Sequence, residues 1–308
     1  MSDLILHHYD GSPFAEKIRL ILGFKRLPWA SVKIPVIMPK PDVVALTGGY
    51  RKTPILQVGA DVYCDTALIA RVLEATGPTP TLYPASAPLA PVVAQWADSA
   101  LFWTVIPYTM QPAGAANVFA GVPPEVLKAF AADRGPFTAG MKRQTVADAT
   151  AALHGYLTQL DAQLADGRLW LMGHEASIAD FSVAHCAWYV RRGGPVADIF
   201  KPHAHFSAWL DRVLAGGHGS PSKMSSTEAL QVAAGASGHA PCAVQPGMGF
   251  DAGQAVTVTP TDYGQDPVAG MLVGLSNSEV VLRRTDERAG TVHVHFPRTG
   301  YQIKLENA

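Results

Sequence analysis

Ser12 is the residue best placed to do chemistry. It follows an apolar run, Leu4-Ile5-Leu6-His7-His8, and the break Asp10-Gly11, and it precedes Pro13 and a segment where Phe14, Ile18 and Ile21 recur at near-helical spacing. A hydroxyl followed directly by proline marks a helix N-cap with proline at the first helical position. The first turn of a helix presents unpaired N–H groups and a partial positive charge, so an anion formed at its mouth is stabilised. A thiolate held there has a depressed pKa, whether it belongs to the protein or to a ligand. Ser12 serves equally as a plain N-cap, and the residue alone does not separate the two roles.

Other reactive side chains are scattered. Cys64, Cys186 and Cys242 are odd in number and far apart, which reads as reduced thiols without metal-ligand spacing. Ala15 stands three residues after Ser12, so there is no Cys-x-x-Cys dithiol and disulfide exchange is a weak reading. His293 and His295 share one face of an expected strand, a spacing able to bind a metal. No third ligand stands near them in sequence, so the expectation is exposed strand histidines and no metal. His7, His8 and His185 read as structural.

These residues need elements to position them. Leu4–His8 reads as a strand, the Ser12 helix ends near Phe24, and Trp29–Ile34 is a second strand; a short helix follows at Asp42–Leu46. Thr53-Pro54 leads a strand that turns near Ala60-Asp61 and returns through Cys64, and Asp65-Thr66 caps a helix over 67–76. Strand, helix, strand, helix, strand, strand, helix is the thioredoxin-like order. Pro78–Pro84 is a stiff linker, after which helical patterns run over 92–110, 125–134, 142–165, 177–191 and 206–214. Ser177-Ile178-Ala179-Asp180 is a capping box that nucleates a buried helix. After a break at 215–222, a helix over 227–234 and five short strands between Gln254 and Leu305 suggest a small SH3-like or other closed β-barrel. The expected architecture is an α/β thioredoxin-like domain over 1–77, an all-α domain over 88–215 and a small all-β barrel-like domain over 223–308.

Composition narrows the functions available. With 24 Lys plus Arg against 25 Asp plus Glu in 308 residues, the chain carries no electrostatic footprint for nucleic acid or an anionic membrane. It opens without a basic n-region, and no apolar run approaches the roughly 20 residues of a membrane span. A cytoplasmic protein is expected.

The segment Ser12-Pro13-Phe14-Ala15-Glu16-Lys17-Ile18-Arg19-Leu20 resembles the first active-site segment of the glutathione transferase superfamily, in its serine-type, omega- or zeta-like form. Thr53-Pro54-Ile55-Leu56, Asp65-Thr66 after a hairpin and Ser177-x-Ala179-Asp180 follow at the family's distances, so the resemblance spans about residues 4–214. It implies that Ser12 stabilises the thiolate of glutathione and that Pro54 is cis, exposing the backbone of Thr53 to the cysteinyl part of that ligand. Asp65 and Thr66 then hold the γ-glutamyl end: a carboxylate suits an ammonium, and a hydroxyl with helix N–H groups suits a carboxylate. Where the family has glutamate or glutamine, Asp65 is shorter by one methylene. Phe14 and Lys52 belong to the same expected site, with Arg51 or Lys52 meeting the glycine carboxylate. Trp103, Tyr108, Met110 and Phe119 are candidates for an apolar half of the cleft, although an aromatic helix stripe is more often core. The implied function is transfer of the glutathione thiolate to a small electrophile, in detoxification, by a homodimer using glutathione as co-substrate. The alternative is a non-catalytic glutathione-binding or protein-interaction module that uses the C-terminal β domain.

Overall fold

The computed structural model describes residues 3–306. Strand β1 (Leu4–His8) sends Leu4 and Leu6 into one core and Ile5 into another, the period of two that a doubly covered strand requires. It pairs in parallel with β2 (Trp29–Lys33) and antiparallel with β3 (Ile55–Val58), which turns into β4 (Asp61–Cys64). Helix α1 (Pro13–Phe24) starts on Ser12, whose Oγ accepts the Ala15 N–H at 3.2 Å. Helix α2 (Pro41–Thr47) stops at Gly48, where φ is +79° and a Cβ would lie 1.9 Å from the Arg284 guanidinium. The left-handed φ is the constraint that favours glycine here, since the end of a flexible arginine can yield. Helix α3 (Thr66–Thr76) opens on Asp65, which accepts the Ala67 N–H at 2.9 Å. His7 and His8 are buried structural groups, paired with Gln57 and with Ser31.

The helical half comprises α4 (Ala90–Trp96), α5 (Phe102–Thr109), α6 (Pro112–Val118), α7 (Pro124–Phe137), α8 (Val146–Leu164), α9 (Ile178–Arg192) and α10 (Ala204–Ala215). The single helix expected over 92–110 is interrupted by a π-helical turn at Ala97–Leu101. Such a turn takes in one extra residue and leaves the segments on either side helical, so the stretch still reads as one apolar helix, and turns of this kind often present functional side chains. Here it carries Asp98. The capping box at Ser177 and Asp180 forms as expected, both halves being made.

The C-terminal strands are where the expectation changes. A short strand β5 (Ser222–Met224) pairs in parallel with β2, and α11 (Ser226–Ala234) follows on its own capping box, Ser225 and Glu228. Then β6 (Ala255–Pro260), β7 (Val268–Leu275), β8 (Glu279–Asp286), β9 (Gly290–Pro297) and β10 (Tyr301–Leu305) form a ribbon in the order β10-β6-β7-β8-β9. The strands occur where the alternation placed them, but no barrel closure is seen among the described residues. Instead β9 pairs in parallel with β4, giving one ten-stranded sheet, β10-β6-β7-β8-β9-β4-β3-β1-β2-β5. The physical reason is edge chemistry. In a four-stranded thioredoxin-like sheet β2 and β4 are edges with unpaired N–H and C=O groups, and added strands satisfy both. The side chains follow suit: Val256, Val292, Val294 and Phe296 join Ile5, Val32 and Val62 in one core.

Candidate active site

Two loops and two helix starts converge beside the N-terminus of α1. Phe14, Lys52, Thr53, Pro54, Asp65 and Thr66 line one small cleft of about 60 Å³, so six of the seven expected site residues are brought together. The seventh, Ser12, is 2 % exposed and stands behind Thr53, with its Oγ 3.5 Å from the Thr53 carbonyl. The Thr53–Pro54 peptide is cis. Phe14 packs against Phe102 and His185 at 4.6 and 4.8 Å between centroids, forming the floor on the helical side.

A buried ionic chain supports this floor. The Lys17 ammonium lies 2.5 Å from Asp98 and donates to the Thr66 hydroxyl at 3.2 Å, while His185 Nε2 meets the other Asp98 oxygen at 3.0 Å. Burial pushes the Asp98 carboxyl up, but Lys17 and His185 outweigh it and hold the group below its ordinary value. The Thr66 hydroxyl is therefore an acceptor toward Lys17 and keeps its own proton for a ligand. Asp65 faces the cleft from the start of α3 with φ +76°, its second carboxylate oxygen accepting from the Tyr301 hydroxyl at 3.1 Å. Burial raises its pKa.

The C-terminal sheet closes the cleft from above. The β6–β7 loop, residues 261–267, places Tyr263 edge-on against Trp103 and Phe137, each 5.0 Å away. The Gly264 N–H donates to the Phe137 carbonyl, and a Cβ on Gly264 would stand 2.5 Å from the Phe137 ring. Lys52 lies 2.5 Å from Asp262 and 4.2 Å from the Tyr263 ring centroid. Arg51 pairs with Asp133 at 2.8 Å and with Asp266 at 3.8 Å. Both cations expected to meet a ligand carboxylate are thus engaged by carboxylates of the chain itself. Of the aromatic candidates, Trp103 borders the cleft through Tyr263. Tyr108 turns into the core, where its hydroxyl donates to the Val196 carbonyl at 2.7 Å, and Phe119 packs on Phe130. Cys64 and Cys186 are buried, and burial pushes both thiols well up, so neither is a nucleophile.

Comparison with known proteins agrees with this arrangement. Residues 6–81 match the family model described as the glutathione S-transferase N-terminal domain, and residues 143–212 match the C-terminal one. A crystal structure described as a GST-like protein from Pseudomonas syringae is 41% identical, covers 99% of this chain and 100% of its own, and superposes with a TM-score of 0.81. The chain belongs to the glutathione transferase superfamily. A glutathione S-transferase from Rhodospirillum rubrum is 21% identical over 69% of this chain and 88% of its own, with a TM-score of 0.53, which shows the shared fold. A search of curated proteins finds no match.

Within this transferase-family chain the C-terminal strands lie beyond both family models, whereas the Pseudomonas syringae protein spans nearly the whole chain. Several residues of the cleft were not apparent in the sequence. Asp98 rides on the π-turn, and Asp262, Tyr263 and Tyr301 arrive from the distant strands. Lys40 sits between Pro39 and Pro41, in a stretch without a motif. Its ammonium donates to the Thr53 hydroxyl at 3.3 Å. Burial, helped by Arg134 and opposed by Asp133, lowers its pKa to about 8. Among the described residues it is the cation beside Thr53 that has no ion-pair partner.

Proposed function

We propose that this chain is a serine-type glutathione transferase whose thiolate site lies at Ser12 and whose cleft is gated by the β6–β7 loop. The convergence of Phe14, Lys52, Thr53, Pro54, Asp65 and Thr66 on one cleft beside the start of α1 supports this reading above all. In it the backbone of Thr53 holds the cysteinyl part of glutathione, and Asp65 with Thr66 holds the γ-glutamyl end. Ser12 donates a hydrogen bond to the sulfur. The thiol proton passes to solvent, the sulfur forms its bond to an electrophilic carbon, and any leaving group departs with its electron pair. With Lys52 engaged by the loop and Arg51 chiefly by Asp133 of α7, Lys40 is the cation assigned to the glycine carboxylate.

A cleft of about 60 Å³ holds a few waters, whereas ligand pockets run to roughly 300–1,000 Å³. Glutathione therefore enters only when residues 261–267 lift. If the open form is a minor fraction, the apparent affinity is reduced by that fraction. Tyr263→Ala removes two aromatic contacts and a cation–π contact that hold the loop down, together worth about 1.4 kcal/mol or more, so glutathione should bind about tenfold tighter by calorimetry. The milder pair Asp262→Asn with Asp266→Asn should shift affinity in the same direction by less, because exposed ion pairs are weak. Equal affinity in all three proteins would remove the gate. Absence of binding even in the loosened variants would favour the non-catalytic interaction module.

Lys40 gives a pH test. S-methylglutathione has no ionisable thiol, and its γ-glutamyl ammonium, which also titrates in the alkaline range, contributes equally to wild type and variant, so the difference between the two reports Lys40. A group whose ammonium is needed for binding and whose pKa is about 8 binds fully below that pH, and affinity falls as pH rises through it. Lys40→Met should bind more weakly at pH 7 and show a shallower fall, keeping only the part that comes from the ligand's own ammonium. Equal profiles in the two proteins would take Lys40 out of the site.

A further inference from the structure

The parallel pairing of β4 with β9 sets Asp61 opposite His293 and Tyr63 opposite His295. A third segment, the irregular stretch between α11 and β6, brings His239 to the same place, where its ring stacks on that of His293 with centroids 3.7 Å apart and planes 13° apart. The Nδ1 atoms of His239 and His293 lie 3.8 and 4.0 Å from the same Asp61 carboxylate oxygen. The three ligand atoms fall within 4.8 Å of one another. Both Nδ1 atoms are shut off from solvent and have no hydrogen-bond partner among the described residues. A buried imidazole nitrogen without a partner is costly, and two of them within 4.0 Å of one carboxylate oxygen are hard to explain as packing.

From this geometry we infer a divalent transition-metal site of the zinc type, with Asp61 and the Nδ1 atoms of His239 and His293 as ligands. Two imidazole nitrogens and one carboxylate oxygen suit zinc and its neighbours and do not suit magnesium or calcium, which prefer oxygen throughout. Ligand atoms bound about 2.0–2.2 Å from a tetrahedral ion stand roughly 3.5 Å apart, so binding draws the three atoms together and turns the His239 ring out of its stack on His293 to point its nitrogen at the ion. A fourth position remains for water. The supporting contacts are in place. Asp61 accepts the Ala240 N–H on its other oxygen at 2.8 Å, and His295, only 2 % exposed, bridges Asp61 at 2.9 Å and Glu279 at 2.7 Å. Such outer contacts orient metal ligands and are part of a working site. His295 is thus a buried positioning residue, not the exposed strand histidine expected from the sequence. His293 finds its fellow ligands across the sheet and in the linker. Bound metal would tie β4, β9 and the linker together at the seam where the C-terminal strands join the rest of the sheet.

The test is zinc titration of the chelator-treated full chain by calorimetry, with magnesium as the control metal. One zinc per chain is expected at about micromolar affinity or tighter, with no saturable magnesium uptake and a higher Tm when zinc is present. His239→Ala decides the matter, because His239 lies outside every helix and strand and its truncation leaves the sheet pairing intact. It and His293→Ala should each weaken zinc by about 30-fold or more. Substituting His154, exposed on α8, should change nothing. No saturable uptake at 100-fold excess over the chain, or equal affinity in His239→Ala, overturns the assignment.

Discussion

Ser12→Ala is expected to lower turnover at saturating glutathione about 100- to 1,000-fold while changing glutathione affinity by less than about threefold. Ser12 Oγ accepts the Ala15 N–H, which leaves its own proton to donate. The Thr53 carbonyl, 3.5 Å away, is at the limit of a hydrogen bond and competes poorly with a thiolate. Lowering a thiol pKa by about two units takes about 2.7 kcal/mol, which a positioned hydroxyl in a helix N-terminus can supply. The same hydroxyl caps α1, so alanine should also cost about 1 kcal/mol of stability. Glycine separates the two roles, because a glycine cap costs only a few tenths of a kcal/mol. Ser12→Gly should therefore be nearly as stable as the wild-type chain and as inactive as alanine. The ultraviolet absorbance of bound thiolate, titrated with pH, should move up in both variants. Wild-type turnover of an activated aryl chloride in Ser12→Gly would leave Ser12 as a cap and nothing more.

The first half of the fold was open to reading because its signals are local. A hydroxyl before proline, a hairpin connection between two short strands and an acid-hydroxyl pair before an apolar helix each lie within a few residues, and each forms as expected. The seam between β4 and β9 is different in kind. Asp61 and His295 meet across 234 residues of chain, and alternation along a strand says which face a side chain occupies but not which edge it joins. Five alternating segments are compatible with a closed barrel or an open ribbon. The pairing of β9 with β4 is a separate matter, and nothing within residues 290–297 announces the β4 edge. The site divides along the same line. Ser12, Thr53 and Asp65 belong to local motifs, whereas the Asp262 and Asp266 carboxylates that engage Lys52 and Arg51 come from the far side of that seam. The π-turn under Asp98 is hidden for a third reason, since a single phase slip of one residue does not stand out in a helix that is apolar on most of its faces.

Asp180→Ala should destabilise the chain by about 3–5 kcal/mol, lowering Tm by about 10 °C. The side chain is fully buried, and it accepts four hydrogen bonds: from the Leu171 N–H at 2.8 Å and the Trp209 indole at 2.9 Å on one oxygen, and from the Ser177 N–H at 2.8 Å and hydroxyl at 3.0 Å on the other. Alanine would leave two backbone donors and an indole donor buried without acceptors. The informative variant is Asp180→Asn. If the residue only helped to start α9, asparagine would be mild, as it is at helix starts generally. In the observed network its amide nitrogen would face the Ser177 N–H or the pair from Leu171 and Trp209, donor against donor, so asparagine should be nearly as damaging as alanine. A loss under about 1 kcal/mol would mean that the network contributes little.

The consequence for activity follows from where α9 leads. His185, one turn on, holds Asp98 beneath Thr66, and Arg192 at the far end donates to the Gly11 carbonyl at 3.0 Å, directly ahead of Ser12. Asp180 thereby anchors the helix that steadies both ends of the cleft without touching a substrate. At a temperature well below its lowered Tm, the folded fraction of Asp180→Ala should turn over at close to the wild-type rate. That pattern is opposite to Ser12→Gly, which should be stable and inactive. Measured together, the two variants separate the residue that does chemistry from the residue that holds it in place.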